Sequence, residues 1–226
     1  DSAFRRRNIS AAILEKAVIE RLEVIGYDYA IDTDGWCLSR PVDSFINEEL
    51  LLERLSVINP GVKISVLEQA ISSLKNIDNP SLFERNHIVH RWLTDGIQVE
   101  DYESDVNPLV KFIDFKNPKN NIFQVANQLK FKENRNLRIP DVIIFINGIP
   151  LVIFELKSIE YNEDTFIERA YEQLGRNGES DGYRYDIPTL FNYNAFLVIS
   201  DGANNKVGTL TSDITRYNEW KSVDGE

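Results

Sequence analysis

A single cysteine, Cys37, in 226 residues excludes an internal disulfide and fits a reducing compartment. No histidine is placed to make Cys37 half of a nucleophilic dyad, so it reads as an ordinary buried thiol. The two histidines, His87 and His90, share a helix-forming stretch with Glu84, but no third ligand is evident to complete a metal site. Methionine is absent, position 1 included, and we treat this as an artefact without bearing on the fold. No apolar run approaches the roughly 20 residues that span a bilayer. Arg5-Arg6-Arg7 leads into polar, helix-forming sequence, not into the apolar core of a signal peptide. A cytoplasmic protein without a membrane partner is therefore expected. Internal repeats, low-complexity linkers and the G-x-x-x-x-G-K pattern of a P-loop are all missing, the last of which excludes an ATP site of that type.

What is present suits one globular domain. Apolar residues make up 42% and charged residues 27% of the chain, and the length is enough to bury a core. A helix is expected over 10–25, capped by Ser10 and stopped at Gly26, with Ile13, Leu14, Ala17, Val18, Leu22 and Ile25 as its apolar face. Glu15 and Glu20 fall off that stripe or at its margin. A short strand over 27–31 and a turn over 32–35 follow. Further helices are expected over 47–58, 63–77 and 79–94, the last capped by Asn79 with Pro80 at its first position. From Ile97 the texture changes to short apolar runs between polar turns: strands over 97–102, 109–115, 121–131, 139–146 and 151–157. A helix over 162–174, a glycine-rich loop over 175–182, a strand over 195–200 and a final helix over 212–220 complete the reading. The helical part covers about 1–95 and the sheet part about 97–220, which makes an α/β domain with a mixed central sheet flanked by helices and a helical segment toward its N-terminal side.

The charge is uneven. The net value of −11 argues against passive, sequence-independent DNA coating. Between Lys111 and Arg138, however, Lys111, Lys116, Lys119, Lys130, Lys132, Arg135 and Arg138 face only Asp114 and Glu133. This basic block runs straight into the most informative stretch, residues 139–157. There two β-branched apolar runs flank Asn147-Gly148, a strong hairpin signal. Asp141, Glu155 and Lys157 stand beside strands hydrophobic enough to be buried on both faces. Charges there are costly unless they are paired or hold a metal. Pleat arithmetic adds a condition. A regular two-residue loop at Asn147-Gly148 would pair Asp141 with Phe154 and turn it away from Glu155. A three-residue loop with Ile146 opposite Pro150, or a bulge in either strand, would place Asp141 opposite Glu155 with Lys157 on the same face. Pro150 lacks an N–H and favours the three-residue loop, where it takes the first strand position; a bulge would serve the same end, so one or the other is expected.

Pro140-Asp141, a gap, then Glu155-Leu156-Lys157 resembles the PD-(D/E)xK nuclease signature. The longer match is to the N-terminal endonuclease domain of the R subunit of type I restriction enzymes. It rests on Leu14-Glu15 through Ile19, Leu22 and Gly26-Tyr27, on Asn127-Gln128, on residues 145–151, and on Asp186-Ile187-Pro188, Leu190-Phe191, Tyr193-Asn194, residues 198–202, Gly208-Thr209, Arg216-Tyr217 and Trp220. The stretch from about residue 40 to 100 contributes little. The resemblance implies a PD-(D/E)xK fold and Mg²⁺-dependent hydrolysis of DNA phosphodiesters, with Mn²⁺ able to substitute. Asp141 and Glu155 would be metal ligands, with Glu15 as a third. Lys157 would be the catalytic lysine and Gln173 the glutamine of a Gln-x-x-x-Tyr element. Asn177 stands where that element's tyrosine belongs, and Tyr183 is the first tyrosine after it. Lys130, Lys132, Arg135, Arg138 and Tyr183 would meet DNA. Double-stranded DNA and the methyltransferase and specificity subunits are the partners implied, in a prokaryotic cytoplasm. ATP would act only through a helicase-like motor that this sequence lacks. Two other readings stay open: a non-catalytic docking module for the other subunits, and a different PD-(D/E)xK nuclease.

Overall fold

The computed structural model describes residues 2–30, 41–157, 163–175 and 181–220, with backbone alone for 2–10 and 163–165. Cys37, the turn over 32–35 and Asn177 lie outside the described residues. A seven-stranded mixed sheet forms the centre, in the order β1 (Asp28–Tyr29), β4 (Phe123–Asn127), β7 (Val142–Ile146), β8 (Ile149–Leu156), β9 (Phe196–Ser200), β10 (Asn205–Gly208) and β11 (Asn218–Glu219). β1 runs parallel to β4 and β8 parallel to β9, and the other neighbours are antiparallel. The C-terminal ends of β4, β8 and β9 and the N-terminal end of β7 therefore share one end of the sheet. Two small antiparallel pairs lie apart: β2 (Ile97–Gln98) with β3 (Leu109–Val110), and β5 (Phe131–Glu133) with β6 (Asn136–Arg138).

The two faces are covered by different helices. α1 (Ser2–Val24) lays Leu14, Val18, Ile19 and Leu22 against Val125, Val142 and Leu156. Its start lies upstream of the expected Ser10 cap. Its buried face is also rotated from the expected one: Ile13 and Ile25 are exposed, Ile19 is buried, and Glu15 points inward with 7% exposure. The opposite face carries Ile143 and Ile153, and α5 (Glu163–Leu174) packs there through Phe166, Ile167 and Ala170. α2 (Glu48–Ile58), α3 (Ile64–Lys75) and α4 (Leu82–Asp95) join the same core through Leu51, Leu55, Leu67, Leu74 and Val89. Asn47 caps α2 as expected, its side chain accepting from the Leu50 N–H. α4 is capped by Ser81 rather than Asn79, because Asn79 accepts from the Ser81 N–H and forms the turn before the helix.

Other expectations shorten or split. The runs over 97–102 and 109–115 each keep two strand residues, and the strand over 121–131 breaks after Asn127, where Gln128 takes a left-handed φ of +53°. The expected last helix is a 3₁₀ turn (Ile214–Arg216) followed by β11. Short helices α6 (Tyr183–Asp186) and α7 (Pro188–Asn192) occupy the stretch between the expected loop and strand, for which no element was expected.

The β7–β8 hairpin fixes the geometry that matters. Its loop is the two-residue one, Asn147 and Gly148 both at positive φ (+52° and +81°), with Ile146 paired to Ile149. The three-residue alternative does not occur. A register shift follows at once: Phe145 pairs with Pro150 but Ile144 with Val152. Leu151 is the extra residue of a bulge, and its carbonyl accepts from the Ala195 N–H at the start of β9. The ladder resumes with Val142 opposite Phe154, so Asp141 comes opposite Glu155. The hairpin tip is held by fully buried Asn147. Its amide donates to the Phe112 carbonyl and Asn121 Oδ1, and its Oδ1 accepts from the Ile122 N–H.

Gly148 meets this tip at close quarters, since a Cβ there would lie 2.7 Å from the Asn47 carbonyl oxygen. Gly148→Ala is expected to destabilise the protein by about 2–3 kcal/mol through that clash and the left-handed backbone. Urea unfolding checks this; a cost below about 0.5 kcal/mol, the ordinary range of a surface change, would contradict it.

Candidate active site at the end of the sheet

Asp141 precedes β7 and Glu155 lies near the end of β8, side by side through the bulge. Both belong to the sheet face that carries Ile143 and Ile153, because side chains alternate along each strand. Lys157, two residues past Glu155, shares that face. Its Nζ donates to Glu155 Oε1 at 2.6 Å and to Gln173 Oε1 on α5. Gln173 Nε2 in turn donates to the Tyr183 hydroxyl at 2.6 Å, which donates to the Ile139 carbonyl. Asp141 Oδ2 accepts from the Leu156 N–H at 2.8 Å.

Glu155 is wholly buried, and its Oε2 has no hydrogen-bond partner of good geometry although the Asp141 carboxyl lies beside it. Burial, then the charge of Asp141, pushes the Glu155 carboxyl up to about 8, only partly offset by Lys157. Burial also raises Asp141, against the Leu156 N–H and the Lys157 charge. Two carboxylates this close are compatible only when they share a proton or a cation. An orphaned carboxylate oxygen beside a second carboxylate is an oxygen donor set for a hard divalent ion. Among the described residues no group of three or more His, Cys, Asp or Glu side chains is arranged to hold a metal, so water and substrate would complete any coordination shell.

Glu15 comes to the same end of the sheet from α1. Its Oε1 accepts from Gln128 Nε2 at 2.8 Å and its Oε2 from Asn127 Nδ2 at 3.0 Å. Burial raises its pKa first, and the nearby Asp141 charge adds to that. Glu20 is exposed and pairs with Lys16 on the solvent side of α1. Tyr183, read from sequence as a DNA contact, is buried, and its hydroxyl faces Gln173. Lys130, Lys132 and Arg135 are exposed on or beside the β5–β6 hairpin that leads into Asp141. Arg138 is half-buried and pairs with Asp186 at 2.7 Å. His90 binds the Asn194 carbonyl while His87 stacks on Phe83 at the surface, so the two do not converge. A wide cleft of about 980 Å³ lies elsewhere, beside the start of α2. Asp43, Glu48, Glu49 and Glu53 line it, and none of the cluster residues does.

The sequence reading missed Asn127, Gln128 and Tyr29 as members of this network. Tyr29 donates to Asn127 Oδ1 and so orients the amide that holds Glu15. The one available signal was a polar pair, Asn127-Gln128, ending an apolar strand.

Comparison with known proteins bears on what this cluster is. The family model described as the type I restriction enzyme R protein N terminus matches residues 10–216. The chain belongs to that family. It is similar to the endonuclease subunit of the type I restriction enzyme HindI from Haemophilus influenzae, 32% identical over 219 residues, covering 93% of this chain and 20% of that protein. A Methanocaldococcus jannaschii protein named as the same kind of subunit is 32% identical over 225 residues, 95% of this chain and 20% of the relative. A Staphylococcus aureus type I restriction enzyme endonuclease subunit is 33% identical over 198 residues, 85% of this chain and 18% of that protein. The chain thus spans about a fifth of the length of these relatives. The matched region of this R-protein family includes every residue of the cluster. No helix among the described residues is long and apolar enough to cross a membrane.

The buried carboxyl pair makes stability depend on pH. Below about 4.5, Glu155 is protonated in folded and unfolded chains alike; between there and about 8 the unfolded chain gives up its proton while the folded chain keeps it. Stability of the metal-free protein is therefore expected to be fully present below pH 4.5 and to fall toward pH 8, with a slope on the order of 1 kcal/mol per pH unit. Other carboxylates that titrate in the acid range add their own slopes, so the comparison is made with Glu155→Gln. Urea unfolding in EDTA should show that variant gaining on wild type as pH rises from 5 to 8, and a constant difference would contradict the assignment.

Proposed function

We propose that this domain is the DNA-cleaving centre of a type I restriction enzyme R subunit, a Mg²⁺-dependent endonuclease of PD-(D/E)xK type. The observation that carries the reading is the bulge-set opposition of Asp141 and Glu155 on one sheet face, with an orphaned Glu155 oxygen and Lys157 against them. Asp141 and Glu155 would hold Mg²⁺, or Mn²⁺ in its place, weakly, since two carboxylates leave most of the shell to water and phosphate. When bound, the ion would neutralise charge on the phosphodiester and acidify a water. Lys157 has its ammonium fixed by Glu155 and Gln173, where it can meet an oxygen that becomes anionic during attack. Gln173 is itself fixed by Tyr183, which gives this tyrosine a supporting place in the site. The rise of the Glu155 pKa is the electrostatic counterpart of a site that wants a cation.

Double-stranded DNA is the substrate on this reading. Exposed Lys130, Lys132 and Arg135 are suited to phosphate contact; Arg138 pairs with Asp186. The net charge of −11 implies that DNA is delivered by other parts of the enzyme, the methyltransferase and specificity subunits among them, with ATP acting only through a motor segment. A bacterial or archaeal cytoplasm is the setting. A docking module without catalysis is disfavoured because unused buried charges would be costly to keep.

Plasmid nicking by the assembled R, methyltransferase and specificity subunits tests the reading. Lys157→Ala should lower the Mg²⁺-dependent rate by about 100-fold or more while leaving assembly intact. Undiminished nicking would remove Lys157 from the chemistry. In a separate measurement, Mn²⁺ titrated calorimetrically into the protein should bind wild type and fail to bind Asp141→Ala at the same concentrations. Equal binding would take Asp141 out of the metal site.

A further inference from the structure

Gln128 carries two unusual features at once. Among the described residues it is one of three non-glycine residues at positive φ, and its side chain is tied to a carboxylate that is distant in sequence. The amide nitrogen donates to Glu15 Oε1 at 2.8 Å, and the side chain lies near the Asp141 carboxylate, whose charged form it favours. The Gln128 backbone is tied to the same place, its N–H donating to the Asp141 carbonyl at 3.1 Å.

The left-handed turn is what makes this possible. Consecutive side chains of a regular strand point to opposite faces, yet Asn127 and Gln128 both donate to Glu15. They converge only because the chain leaves the strand at Gln128. Glu15 arrives with α1 on one face of the sheet, and Asp141 belongs to the other. Gln128 sits astride the end of the sheet and joins them. A left-handed conformation costs a non-glycine residue about 1–2 kcal/mol, and such strain gathers where geometry serves a site.

We propose that Gln128 is a positioning residue of this centre: its amide anchored by Glu15 and its backbone N–H on the Asp141 carbonyl, it holds Asp141 in register with Glu155 for a shared divalent cation. The proposal rests on the metal-dependent reading above and adds to it a residue outside the Asp-Glu-Lys trio. Glu15 acts here as the anchor of the amide, whether or not it touches the ion. The arrangement has the form of an outer-shell support, whose loss costs about 10–100-fold in metal affinity where it has been removed from metal sites.

The test is a double-mutant cycle on the 226-residue chain, with Gln128→Gly, Glu15→Gln and their combination, read by Mn²⁺ calorimetry and by thermal unfolding in EDTA. Glycine adopts φ +53° freely, so Gln128→Gly removes the amide while relieving the strained backbone. The expected result is a loss of about 10-fold or more in Mn²⁺ affinity for Gln128→Gly, and a double variant that binds no more weakly than Glu15→Gln alone. Additive losses of affinity would mean that Gln128 acts on the ion without Glu15. Wild-type affinity in Gln128→Gly, or additive losses, would overturn the proposal. The EDTA arm separates it from the metal reading. Wild type that binds no Mn²⁺ while the thermal cycle is still non-additive would count against the metal centre and not against the Gln128–Glu15 bond. An additive thermal cycle would count against that bond itself.

Discussion

The site depends on one irregular residue. Leu151 is inserted into β8 without a partner on β7, and this single offset turns Asp141 onto the face that holds Glu155 and Lys157. Without it the Asn147-Gly148 loop would set a register that opposes Asp141 to Phe154, and the two carboxylates would lie on opposite sides of the sheet. The bulge is also where β8 meets β9, because the Leu151 carbonyl takes the Ala195 N–H. Pro150, which has no N–H to lose, precedes it. The buried Asn147 network then fixes the far end of the hairpin, so the offset cannot relax by sliding.

Two faces of the sheet contribute to one polar line across its end. From one face α1 brings Glu15, held by Asn127 and Gln128. From the other, α5 brings Gln173, which joins Lys157 to Tyr183. Asp141 and Glu155 stand between. Each buried polar group in such a line is expensive unless its neighbours answer it. The orphaned Glu155 Oε2 is the one gap in this carboxylate–amide line, and it is where an oxygen-seeking cation would be satisfied. Membership of the type I R-protein N-terminal family and the physical chemistry of the cluster thus support the same reading by independent routes.

The wide acidic cleft beside α2 is instructive by contrast. It is roomy, but in its lining Asp43, Glu48, Glu49, Glu53 and Glu133 outnumber Lys75 and Lys132, and no residue of the carboxylate–lysine cluster reaches it. Concavity is a weaker guide here than the placement of charges no core would otherwise keep.

By itself the sequence determined the mixed α/β character, the cap of α2 at Asn47, the hairpin at Asn147-Gly148, and the need for a break in its register if Asp141 and Glu155 were to meet. These follow from local chemistry: left-handed turn residues, a proline without a donor, apolar runs too long to face water. Family resemblance, not local chemistry, singled out Gln173 and gave Tyr183 as a DNA contact; their hydrogen bond is a product of the fold. Tertiary structure decided the rest. Which irregularity the hairpin uses depends on the Ala195 N–H, just before β9, which donates to the Leu151 carbonyl. Which face of α1 is buried depends on the sheet it meets: a stripe drawn from helical periodicity put Glu15 at its margin, while packing on Val125, Val142 and Leu156 turned it inward. Gln128 was hidden for the same reason, since its bond to Glu15 links residues 113 positions apart. No spacing rule sees a contact made only when two faces of a sheet are joined at its end.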